Sequence, residues 1–163
     1  MTPPVDVDIQ NTVSAPVDDS ALVRAAQHTA QMEGVTGPAE VSIVLTTDEH
    51  VAMLNLHFRG LDAPTDILSF PADPLPGDFG EEARYLGDLV IAFPYASRQA
   101  AREGHALLDS LQLLVVHGML HLLGWDHDTP EHRAAMWARQ DAALLALGIS
   151  PALVPPLEDD THA

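Results

Sequence analysis

The sequence predicts an α+β fold: a small mixed β-sheet of about four strands packed against helices, with a central helix that carries a histidine cluster. Three observations predict it. Short runs rich in β-branched and aliphatic residues fall in the first part of the chain, and the long helical periodicities fall in the second. No internal repeat and no linker interrupts the order. The 163 residues, 47% of them hydrophobic, suffice for one core. Residues 1–150 are therefore expected to form a single domain. Residues 151–163, proline-rich, acidic and without periodicity, are expected to form a disordered tail.

Residues 5–9 alternate apolar and acidic side chains, the pattern of a half-buried strand. Residues 19–32 form a helix with Leu22, Val23, Ala26 and Ala30 on one side and Gly34 behind it. Residues 41–45 are a second strand. Thr46 and Glu49 then make a capping box, opening a helix through His57 whose buried stripe is Val51, Leu54 and Phe58. Residues 66–70 and 86–92 are two further strands. Residues 71–84 between them, with three prolines, two glycines and four acids, form a loop. Residues 94–104 make a short polar helix. Residues 106–123 are the central helix, with Leu107, Leu111, Leu114 and Val115 on its buried side. Thr129 and Pro130 open a last helix that runs to Leu147 before Gly148.

The central helix carries the chemistry, in the stretch His117-Gly118-Met119-Leu120-His121-Leu122-Leu123-Gly124-Trp125-Asp126-His127. His117 and His121 share one helix face, roughly 6 Å apart along the axis. Gly124 can adopt the left-handed conformation that ends a helix, so the chain can fold back and bring His127 to the same point. Three neutral imidazoles converging in this way make an open zinc site, with a fourth position left for water. The spacing H-x3-H-x2-G-x2-H is the frame of the metzincin peptidases, but Gly118 stands where they carry the glutamate that serves as general base.

Composition excludes several classes. There is no cysteine, hence neither a disulfide framework nor a thiolate metal site. The first ten residues lack the basic-then-apolar order of a signal peptide, and the longest apolar run is broken by Gln112 and the histidines, so neither export nor a membrane span is expected. A cytoplasmic location is the default. The formal charge is −17, and the only basic residues besides histidine are seven arginines. Such a chain repels nucleic acid at long range, so any RNA contact must be local, made by a few arginines and the metal; DNA is not an expected partner.

With these elements in place, the chain resembles the YbeY-type family, bacterial rRNA maturation factors that are zinc-dependent endoribonucleases. Three blocks carry the resemblance. The first is Leu54-Asn55-Leu56-His57-Phe58-Arg59-Gly60 with Pro64-Thr65-Asp66-Ile67-Leu68-Ser69-Phe70-Pro71; the second is Leu86-Gly87-Asp88-Leu89-Val90-Ile91-Ala92; the third is the histidine stretch. The resemblance implies one zinc ion on His117, His121 and His127, with Arg59 lining the same cleft. It also implies processing of the small-subunit rRNA 3′ end, ribosome quality control, and partners on the assembling small ribosomal subunit. The proline-rich loop and the acidic tail depart from the family pattern.

Zinc with an open position supplies a Lewis acid for a phosphoryl oxygen and a water that ionises near neutral pH. Arg59 and His117 are the candidate catalytic residues, His117 through the metal and Arg59 as a fixed positive charge for the non-bridging phosphate oxygens. Asp126 is a candidate to orient an imidazole, as carboxylates near metal sites commonly do. Asp66 and Asp88 read as caps of turns or strand ends. Arg98 and Arg102, one turn apart, are either a phosphate clamp or a plain surface pair. Trp125 and Phe70 can stack on single-stranded bases, although both lie in apolar segments that favour burial. The sequence offers no evident general base, and the nucleophile is either water or the RNA 2′-hydroxyl. Three functions follow: an endoribonuclease acting on single-stranded or precursor rRNA, a non-catalytic assembly factor with a structural zinc, and, less favoured because of Gly118, a metallopeptidase.

Overall fold

The computed structural model describes residues 5–35, 38–72 and 84–150. Along the chain they form β1 (Asp6–Asn11), α1 (Asp19–Met32), β2 (Ala39–Thr46), α2 (Asp48–Arg59), β3 (Ile67–Pro71), β4 (Arg84–Ala92), α3 (Phe93–Glu103), α4 (Leu107–Leu122) and α5 (Pro130–Ala146). The class is α+β, as the sequence predicts. Most of the predicted loop, and all of the predicted tail, lie outside the described residues.

The strands form one mixed sheet in the order β1-β2-β4-β3. β1, β2 and β4 run parallel, and β3 closes one edge antiparallel to β4. Side chains alternate across the sheet, and the two faces bury different partners. Ile43, Leu45, Ile67, Leu89 and Ile91 join the large core under α1, α4 and α5, whereas Leu68, Val90 and Ala92 meet Val51 of α2 on the opposite face.

α4 is the hub of the larger core. Every residue from Leu111 to Leu122 is buried, because the helix is enclosed by α1, α3, α5 and the sheet. The predicted one-sided stripe is thus too narrow: a helix walled in on all sides is apolar all round. Gly118 lets it lie this close. A Cβ there would stand 2.7 Å from Leu89 Cδ2 and 3.0 Å from Ile67 Cδ1.

Two local expectations for α2 are corrected. Its N-cap is Thr47, whose hydroxyl accepts from the His50 N–H at 3.1 Å, and not Thr46. Thr46 is still paired with Ala92 in the β2–β4 ladder, so the strand holds its backbone and the next threonine takes the cap. Phe58 is not buried but 61% exposed, with its ring edge-on to the His57 and half-buried Phe70 rings. Asn55 occupies the buried position instead and donates to the Ala63 carbonyl at 2.8 Å, which holds the turn after the helix. On α1, Val23 is half-buried, and Ala25 and Thr29 complete the covered side.

Candidate metal centre

α4 ends in a way that assembles the site. Gly124 takes a φ of 100°, its N–H bonds to the His121 carbonyl at 3.0 Å, and the Trp125 N–H bonds to the Leu120 carbonyl at 2.9 Å. This is a Schellman closure, which satisfies the last helical carbonyls and reverses the chain. Three residues beyond Gly124, the imidazole of His127 lies 5.7 Å from that of His117 and 5.2 Å from that of His121, centroid to centroid. All three histidines are buried, with ligand nitrogens within 4.8 Å of one another, a group that can hold a metal ion.

Hydrogen bonds set the tautomers. His121 Nδ1 lies 3.0 Å from the Trp125 carbonyl and His117 Nδ1 lies 3.0 Å from Gln140 Oε1. Both acceptors require a proton on Nδ1, which leaves each Nε2 with a lone pair. Those two Nε2 atoms stand 3.1 Å apart, and His127 Nε2 is buried with no hydrogen-bond partner among the described residues. Facing lone pairs and an orphaned nitrogen are unfavourable in a dry interior. A cation resolves both: tetrahedral zinc, with Zn–N near 2.0–2.1 Å, places its nitrogens about 3.3 Å apart. The donor set therefore fits a metal.

The surroundings are specific. Trp137 on α5 stands edge-on to His117 at 5.8 Å and to His127 at 5.7 Å, walling the site on that side. Gln140 is fully buried and was not singled out from the sequence. Its signal was there: it shares the covered stripe of α5 with Met136, Ala143 and Leu144, and a polar residue in such a stripe demands a partner. Gln140→Leu, which keeps the bulk and removes the acceptor, is expected to weaken metal affinity by roughly 10- to 100-fold while the fold persists. Competition against a chromogenic chelator measures this, and an unchanged affinity would show that Gln140 does not orient His117.

The remaining candidate residues are dispersed. Asp126 accepts from the backbone N–H of His127 at 2.7 Å, so its carboxylate holds the main chain at this position; among the described residues no hydrogen bond joins it to an imidazole. Arg59 is half-buried in the last turn of α2, where Gly60 caps the helix, on the sheet face opposite α4. Arg98 is tied to Asp48 at the start of α2, with Nη2 at 2.6 Å from Oδ2, while Arg102 is exposed near the end of α3; the two do not form a free clamp. Asp66 caps the start of β3, accepting from the Ile67 N–H at 2.7 Å. Asp88 lies within β4, not at its end, and accepts from the Tyr85 hydroxyl. That bond and burial push the Tyr85 phenol upward, burial most strongly. Trp125 is half-buried, its Nε1–H given to Glu33 at 2.7 Å.

Comparison with known proteins identifies the family. The family model described as Endoribonuclease YbeY matches residues 8–148. An Endoribonuclease YbeY of Moorella thermoacetica is 48% identical over 136 residues, covering 80% of this chain and 86% of the relative. One of a Roseiflexus species is 44% identical over 150 residues, covering 90% and 94%. A Thermotoga maritima protein whose structure was determined in solution shares the fold, with a TM-score of 0.53 at 19% identity, over 87% of this chain and 90% of that one. The chain belongs to the YbeY endoribonuclease family.

Proposed function

We propose that this protein is a zinc-dependent endoribonuclease that cuts single-stranded segments of precursor rRNA at the small-subunit 3′ end. On this reading residues 1–150 are its catalytic domain, and it works in the cytoplasm with the small ribosomal subunit and its assembly proteins. The observation that carries the proposal is the convergence of three imidazole nitrogens, one of them orphaned, in a chain of this family. Among the described residues no helix is long and apolar enough to cross a membrane, which accords with such a setting.

His117, His121 and His127 hold the zinc, which supplies Lewis acidity toward a phosphoryl oxygen and activation of a nucleophile near neutral pH. Gln140 and the Trp125 carbonyl fix the two helical imidazoles with their lone pairs inward. Asp126 fixes the backbone from which His127 reaches in. Arg59 offers a guanidinium to the non-bridging oxygens, where charge builds as the phosphorus becomes five-coordinate. It starts from the other sheet face, beside the edge strand β3, so this role requires the phosphate to lie along that edge. Gly118 faces Leu89 and Ile67 of the sheet, so the position that carries the peptidase base is here spent on packing.

A labelled RNA fragment covering the small-subunit rRNA 3′ end tests the reading, with zinc-loaded wild type beside identically purified His121→Ala to expose contaminating ribonucleases. Wild type is expected to cut, His121→Ala not at all, and Arg59→Ala at least about 100-fold more slowly, as when a transition-state donor is lost. Equal cutting by all three would sink the proposal. The net charge of −17 favours a second reading, an assembly factor that docks on a basic ribosomal protein and whose zinc only stabilises the fold. That reading expects no cleavage by wild type, with ribosome association preserved in Arg59→Ala.

A further inference from the structure

A cavity of about 840 Å³ opens at the turn that ends α4, lined by Glu33, Arg84, Leu123, Gly124, Trp125 and Arg139 among others. Its size falls within the range of small-ligand sites, roughly 300–1,000 Å³, with room for a nucleotide. Its charge is unusual for this molecule. Two of the seven arginines line it against one carboxylate, so it carries local positive charge in a chain of net charge −17.

The residues on its wall are already ordered. Arg139 lies over the Trp125 ring, 4.1 Å from the centroid, and its Nη1 reaches Glu33 Oε2 at 3.0 Å. The other oxygen of Glu33 takes the Trp125 indole N–H at 2.7 Å. Glu33 is thereby occupied on both oxygens, whereas Arg139 commits one nitrogen of its five-donor fork. Arg84, at the exposed start of β4, has no side-chain ion pair among the described residues; its backbone N–H is held by the Pro38 carbonyl at 3.1 Å. Two guanidinium groups, one stacked and one open, are suited to phosphate oxygens.

The cavity is also joined to the metal site. Trp125 lines it, and the carbonyl of the same residue receives His121 Nδ1–H at 3.0 Å. Two residues further on is His127. A strand seated here therefore lies against the turn that carries the chain from His121 to His127.

We propose that this cavity is a binding subsite for single-stranded RNA, taking the phosphates that flank the cleaved bond on Arg84 and Arg139. This rests on RNA being the substrate, but it concerns residues outside the metal centre and can be tested without cleavage. The probe is a short fluorescent 2′-O-methyl oligoribonucleotide, which cannot supply a 2′-hydroxyl nucleophile, titrated with zinc-loaded full-length protein and read by anisotropy at several salt concentrations. Arg84→Ala is expected to raise Kd about tenfold, as expected for one charge-assisted contact, and to flatten the slope of log K against log salt by about 0.7. Arg84→Lys is expected to keep the salt slope, because it keeps the charge. Arg24→Ala removes an equal charge from the exposed side of α1 and is expected to leave Kd within about twofold, since screening limits distant charges.

Binding by Arg84→Ala at the wild-type Kd, or an equal loss in Arg24→Ala, overturns the subsite. If wild type cuts ordinary RNA while Kd ignores Arg84, the subsite fails and the endoribonuclease reading stands. If binding depends on Arg84 but nothing is cut, the subsite stands and the catalytic reading fails. Absence of any RNA binding by wild type overturns the subsite outright.

Discussion

His121→Ala is expected to abolish the thermal stabilisation that metal confers, and with it all RNA cleavage. The two effects have one cause, and the first can be read without substrate. A metal held only by the folded state stabilises it by RT ln(1 + [L]/Kd), about 2.7 kcal/mol at one hundred times Kd. For a chain of this size that is an upward shift in Tm of roughly 5–10 °C. Removing one of three imidazoles lowers affinity by more than about 100-fold, beyond what loss of an orienting partner does, so at the same metal concentration the shift disappears. The metal-free proteins should behave differently. His121 gives up a hydrogen bond to the Trp125 carbonyl, worth roughly 1 kcal/mol, but its Nε2 also faces that of His117 at 3.1 Å, a contact that opposes folding when no cation is shared. These offset, so after chelator treatment wild type and His121→Ala should melt within a few degrees of each other. Equal metal-induced shifts in both proteins would show that the metal binds elsewhere.

How much of this centre was legible in the sequence depends on the range over which each feature is determined. The three histidines are set by local geometry: helical spacing for two, a glycine-terminated helix for the third, and both are written in the chain. The strands were legible for the same reason, since alternation and β-branched runs are local. Features fixed by tertiary context were harder. Thr46 and Thr47 are equivalent as caps until the β2–β4 ladder reserves the first of them. Phe58 has the right period for burial, but the sheet packs against Val51 near the start of the helix and leaves the ring of Phe58 exposed at its end. Gln140 and His117 meet across 23 positions, and Trp125, Glu33 and Arg139 gather from three separate helix ends or faces. The stripe of α5 marks Gln140 as covered and in need of a partner, but no pattern along one element says which partner it meets. The absence of the peptidase glutamate was visible as Gly118, but its physical reason, the approach of α4 to Leu89 and Ile67, belongs to the packing.

Gly87→Ala is expected to be the most destabilising single-methyl change in the protein, by about 3 kcal/mol or more. Gly87 sits in β4 at a φ of 139°, a region that side-chain-bearing residues rarely enter, beside the register shift between Glu40 and Val41 of β2. A Cβ there would stand 2.3 Å from the Phe70 carbonyl oxygen, 2.9 Å from Leu122 Cδ2 and 3.0 Å from Pro71 Cα. Two of those three atoms are backbone of the paired edge strand and cannot rotate away; β3 would have to separate from β4. The third belongs to the residue after His121, so relief in that direction displaces the end of α4 and loosens the metal site. Both routes predict damage beyond stability: metal affinity should fall along with Tm. Gly104→Ala supplies the comparison, because Gly104 also has a positive φ, 73°, but nothing lies within 4 Å of a Cβ built there. It should cost only the conformational term, about 1–2 kcal/mol, and leave metal affinity alone. Denaturant melts of both variants, paired with chelator competition, separate strain from close approach. If Gly87→Ala proved no worse than Gly104→Ala on both measures, the contact of β4 with β3 and Leu122 would not be what holds the histidine helix in register with the sheet.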